Sequence, residues 1–180
     1  MKKILFLILA LCAVSAVQAA DAPKEEVQKM TVINCGKGDL PDATAGTISL
    51  TDEHLQGKET ARMKVKGMWV YNMTKKGDWS KYNYLVFNAF LAGDKPYKGT
   101  IILGDKGSQK KWAQNNCGVP FTLKPGENKD VHIGIEGLNI SFGDGRPLDM
   151  ANMRIICLWA PDFKDAEVYF SNFYVVHEEE

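Results

Sequence analysis

Trp112 is the residue best placed to hold a ligand. It sits in a polar stretch from Gln109 to Asn116, with Lys111, Gln114 and Asn115 beside it. An indole in that company offers a flat apolar surface with polar groups at its rim. The C–H side of a pyranose and its hydroxyls ask for both. Trp69 and Tyr71 form a second aromatic pair, in the stretch between Gly67 and Gly77. The alternative for each ring is that it folds back onto the core. Trp159 ends an apolar run just before Pro161 and reads as core or edge packing. His132 and Glu136 fall on the polar side of an alternating segment and read as solvated residues.

Other chemistries find less support. Glycoside hydrolysis needs two carboxylates across one bond, and the acids here are scattered through loops. No Gly-x-Ser-x-Gly elbow is present. His54, His132 and His177 lack metal-ligand spacing, and there is no Cys-x-x-Cys pair. The chain is expected to be non-catalytic and to require no cofactor.

The start of the chain sets the expected compartment. Lys2 and Lys3 precede an apolar run from Ile4 to Val17, and small residues follow at Val17-Gln18-Ala19. That run is shorter than the roughly 20 residues of a membrane span. It reads as an export signal over 1–19, followed by a flexible leader over 20–29, one domain over 30–177 and an acidic tail over 178–180. The expected location is secreted or periplasmic, with no membrane span once the signal is removed. Without Lys2 and Lys3, the 22 basic residues fall to 20 against 22 acidic ones. With no basic patch, nucleic acid is not an expected partner.

Three cysteines remain after the signal. Cys157 lies in Ile155-Ile156-Cys157-Leu158 and reads as a small buried hydrophobe. An oxidising compartment permits one disulfide. Cys35 and Cys117 are the better pair, although spacing alone gives no geometry.

The elements that must position these residues are strands. Entered through Asp78-Trp79, Leu85 to Leu91 is largely apolar on both alternating sides and reads as a central strand. Gly93-Asp94-Lys95-Pro96 ends it, and a second strand returns through Thr100 to Leu103. Ala61-Arg62-Met63-Lys64-Val65-Lys66 alternates as a half-buried strand. Further strands are expected at Met30–Asn34, Thr47–Leu50, Val119–Leu123, Val131–Ile135, Arg154–Trp159 and Glu167–Val176. Gly36–Ala45, Gly67–Gly77 and Leu138–Asp149 read as loops. About nine short strands with turn chemistry between them indicate an all-β, two-sheet antiparallel β-sandwich.

Four runs carry a resemblance. Asp78-Trp79-Ser80-Lys81-Tyr82-Asn83-Tyr84-Leu85-Val86-Phe87 is similar to the D-W-S-x-Y-x-x-L-x-F strand of galactose-binding-domain-like jelly rolls. That group includes several carbohydrate-binding modules. Phe121 to Asn128 resembles their F-x-L-x-P-G-x-N turn. Arg146-Pro147-Leu148-Asp149-Met150 resembles R-x-L-D-L, and Phe170-Ser171-Asn172-Phe173-Tyr174 resembles the closing I-D-N-I-R strand. The order covers roughly Thr47 to Val176 and speaks for the fold more than for a ligand. The resemblance implies a jelly roll in which Trp79 packs the core. It implies a non-catalytic module that binds a polysaccharide or other glycan through Trp112, Trp69, Tyr71, Gln114 and Asn115. A structural calcium would draw oxygens from Asp39, Asp42 and Asn172, with Ser171 standing where the family often has Asp. The alternative is the same sandwich as a structural or protein-interaction subunit of the cell envelope, with no sugar site.

Overall fold

A computed structural model describes residues 28–108, 115–141, 143–160 and 166–179, with backbone alone at 74–76. Ten strands appear among them: β1 (Lys29–Ile33), β2 (Asp42–Thr51), β3 (Arg62–Gly77), β4 (Tyr84–Leu91), β5 (Tyr97–Asp105), β6 (Cys117–Leu123), β7 (Gly126–Gly134), β8 (Met153–Trp159), β9 (Val168–Phe170) and β10 (Phe173–Val176). All pairings are antiparallel. The expected all-β class is what the chain adopts.

Pairing runs β1-β10-β4-β9-β3-β8-β5-β6, with β2 added to β3 and β7 to β4. β1, β10, β4 and β7 form one layer, and β2, β3, β8, β5 and β6 form the other. Short β9 joins them by pairing with Met63–Val65 of β3 on one side and Ala89–Leu91 of β4 on the other. Rings then meet across the gap. Phe87 of β4 lies 5.7 Å from Phe121 of β6, and Trp69 of β3 lies 5.7 Å from Phe173 of β10. Both contacts are edge-on, the arrangement that ring quadrupoles favour. Each fully buried large apolar side chain contributes about 1.5–3 kcal/mol.

Several local expectations change. Gly67–Gly77 is no loop; it is the larger, C-terminal part of the sixteen-residue β3. The expected strand at Thr47–Leu50 begins earlier, at Asp42. At Gly46 and Gly67, which pair with each other, φ is 107° and 91°. A Cβ on Gly46 would stand 1.8 Å from the Lys66 carbonyl oxygen, so two side chains there would forbid the crossing. The Gly93–Pro96 turn does not close a hairpin, because β4 and β5 belong to different layers. Glu167–Val176 divides into β9 and β10 at Ser171-Asn172. Both halves keep pairing with β4 while the other edge passes from β3 to β1.

The turn into β7 follows its sequence. Gly126 has φ 83°, and Asn128 accepts from Lys124 N–H while donating to the carbonyls of Lys124 and Gly126. Arg62 points outward as its alternation requires, yet it is fully buried. The loop after β2 and the β7 turn cover it, with Glu59 at 2.7 Å and Glu127 at 2.9 Å. The chain end also docks. Glu178 N–H donates to the Asn83 side-chain oxygen at 3.0 Å, and the Asn83 amide donates to the Glu178 carbonyl at 2.7 Å. The expected solvated tail is therefore clamped at its first residue.

Candidate binding face

Trp69 is 0% exposed, with its ring against Phe170 and Phe173. It can present nothing to a ligand. The reason is its strand: on β3, Met63, Val65 and Trp69 share the side facing the other layer. Tyr71 is on that side too, half-buried, and its hydroxyl donates to the Asp39 carboxylate at 2.9 Å. Burial, then the neighbouring carboxylate, push that phenol up to about 12. Tyr71 therefore serves as a strut between β3 and the loop after β1. Trp112 and Gln114 lie outside the described residues. Asn115 is half-buried, and its side-chain oxygen has no hydrogen-bond partner among the described residues.

The expected calcium ligands are engaged otherwise. The Asn172 oxygen accepts the Cys35 N–H at 2.7 Å, and its amide donates to the Tyr174 hydroxyl. Asp39 accepts from Tyr71, and Asp42 is exposed on β2. Protein donors hold the Asp39 and Asn172 oxygens, which does not fit the six to eight converging oxygens of a calcium site. No cluster of three or more His, Cys, Asp or Glu gathers among the described residues. Cys35 and Cys117 are buried free thiols, so the expected disulfide is absent. Cys35 lies against the carbonyls of Phe170 and Ser171, whereas Cys117 lies against Ser141.

The exposed tryptophan of the described residues is Trp159, at 46%. Its neighbour Leu158 pairs with Trp69 and faces the core, so Trp159 faces out. Its row crosses the layer through Trp159, Thr100 and Pro120. The next row holds Val70, Cys157, Ile102 and Gly118. Cys157 and Ile155 are buried there but stand apart from the main core cluster. Burial pushes the Cys157 thiol up to about 12, so it is no nucleophile at neutral pH.

On the other side of Trp159 the face turns polar. Exposed Lys98 pairs with exposed Thr122. Lys66 reaches Glu167 at 2.5 Å. Hydrogen bonds from Lys66, then Lys64 and Tyr169, hold the Glu167 carboxyl down at about 2, so it remains an ionised acceptor. Beyond Lys98 a cleft of about 500 Å³ opens between the Gly93–Pro96 turn and Ala166. This face can thus offer an indole surface, hydroxyls, ammonium donors and a carboxylate within one neighbourhood.

Sequence reasoning passed over Trp159 because β8 is apolar on both sides. Ile155 to Leu158 gives no contrast to mark which alternate residues face out, and the one charge, Arg154, falls on the set of Ile156 and Leu158, which faces the core. His132 does face out as expected, with Nε2 3.2 Å from Glu178 and its ring edge-on to Tyr84.

No family model matches the chain, and no curated protein is similar to it. Solved structures are. A solution structure of CtCBM11 superposes with TM-score 0.66 at 17% identity, over 87% of this chain and 99% of the other. A family 11 carbohydrate-binding module from Clostridium thermocellum, bound to a beta-1,3-1,4-mixed-linked tetrasaccharide, gives 0.53 at 16% identity, over 76% and 85%. An exo-beta-agarase gives 0.60 at 11% identity, but the match spans 25% of that longer chain and 83% of this one. At these identities the likeness is one of fold, and that fold is the galactose-binding-like jelly roll.

Proposed function

We propose that the protein is an exported, non-catalytic module that binds carbohydrate on the outer face of its five-strand layer. The carrying observation is Trp159, 46% exposed on a strand whose other residues are buried or half-buried. A pyranose would lay its C–H side on the indole while its hydroxyls meet Thr100, Lys98 and Lys66. Such a face is shallow and wet, so affinity per site would be modest. The jelly-roll fold shared with carbohydrate-binding modules supports the reading, and the charged and apolar run from Lys2 to Val17 supports export. Trp112 remains a second candidate platform.

Native gel electrophoresis through soluble polysaccharides tests this. Retardation in at least one gel, mixed-linked β-glucan being the first choice, is expected, with loss of retardation in Trp159→Ala. Unretarded migration in every polysaccharide would contradict it. The envelope-assembly alternative has its own support in the open edge of β2.

A further inference from the structure

β2 is an edge strand without the usual guards. Among the described residues it pairs with β3 alone, and only Ile48 and Thr51 among its ten residues are half-buried, the others being exposed. Natural edges are blunted by Lys, Pro or bulges. Here the register shift is confined to Ala43/Ala45, and Gly46 to Thr51 pair residue for residue with Gly67 to Arg62. Ala43 to Thr51 contains neither proline nor any charge. The edge is also apolar on its inner side. Ile48 stands opposite Val65 and packs on the core, and Leu50 stands opposite fully buried Met63 yet is 40% exposed.

We infer that β2 pairs antiparallel with β2 of a second copy of this chain, about a two-fold axis through Ser49. Directly opposed residues in such a ladder point to the same side, and the hydrophobic pattern selects the register. With Ser49 on the axis, Ile48 faces Leu50 of the second copy, twice, and Thr47 faces Thr51, twice. Moving the axis to Ile48 would leave Leu50 opposite Gly46. Moving it to Leu50 would set Ile48 opposite Asp52. The Ser49 register alone matches apolar with apolar throughout.

Charge agrees with this. Asp52 and Glu53 would fall opposite Gly46 and Ala45, so no like charges meet. Lys64 and Lys66 on the neighbouring strand are already engaged with Glu53 and Glu167. The ladder is short, below the roughly 1,000 Å² of a stable interface, so the dimer is reversible and concentration-dependent. A two-fold perpendicular to the layer turns both Trp159 faces to the same side, which would raise avidity for a polymer. The pairing itself does not depend on the carbohydrate reading.

Sedimentation velocity of the full mature chain across a concentration series should show a monomer–dimer equilibrium, and Leu50→Lys should remain monomeric throughout. Leu50 is exposed, so circular dichroism of this variant should match the wild type. Ser49→Cys treated with a short bis-maleimide should give covalent dimer several-fold faster than Asp94→Cys in the exposed turn. A wild type that stays monomeric throughout, equal cross-linking at both cysteines, or a dimer indifferent to Leu50→Lys would each overturn the proposal.

Discussion

Arg146 grips Asp105 with two parallel hydrogen bonds, Nη1 to Oδ2 at 2.5 Å and Nη2 to Oδ1 at 2.7 Å. The carboxylate is fully buried and also accepts the backbone N–H groups of Asp149 and Ser108. One ion pair thus ties the end of β5 to the long loop before β8. Burial opposes the charge, but Arg146 and the two amides outweigh it and hold the carboxyl well below the usual range.

Removing Arg146 leaves that carboxylate buried with less compensation. Arg146→Ala should destabilise by about 3–5 kcal/mol, read as a lower urea midpoint at pH 7. A folded pKa below the unfolded value near 3.9 stabilises above that pH and is lost as pH falls through the folded value. The gap between wild type and Arg146→Ala should therefore narrow below about pH 4. Urea midpoints at pH 7 and pH 3 would show it.

Two tryptophans should separate packing from surface. Trp69→Ala removes a wholly buried ring and should cost about 3–5 kcal/mol. Trp159→Ala removes a half-exposed one, and its stability loss should be a small fraction of that. Thermal melts of both variants check the contrast, and equal losses would show that Trp159 is a packing residue.

The Gly46–Gly67 crossing should tolerate no side chain. Both glycines have φ near 100° and face backbone carbonyls within about 2 Å of an added Cβ. Gly46→Ala and Gly67→Ala should each cost more than about 1 kcal/mol. Exposed Gly93, with open space around its Cβ position, is the contrasting site for the same measurement, although its φ of 109° still strains alanine. Its loss should be the smallest of the three.

The fold was legible where alternation was clean. Met63 and Val65 against Lys64 and Lys66 placed the start of β3 correctly, and Pro125-Gly126 with Asn128 marked a real turn. The site was less legible, for physical reasons. Gly67 looks like a loop signal but is a crossing glycine inside a strand, and that error moved Trp69 from core to surface. β8 is apolar on both sides from Ile155 to Leu158, which hid the outward Trp159. The Arg62 alternation pointed it outward correctly but could not foresee that Glu59 and Glu127 would fold over it. Long-range partners of this kind arise from layer packing, which no local window contains.

The proposed carbohydrate binding rests on Trp159. Isothermal titration of an oligosaccharide cut from whichever polysaccharide retards the protein tests it most directly. Wild type should give measurable heat, and Trp159→Ala should bind at least tenfold more weakly while melting close to the wild-type temperature. Undiminished binding by Trp159→Ala, with loss in Trp112→Ala, would contradict the claim and place the site on the other ring.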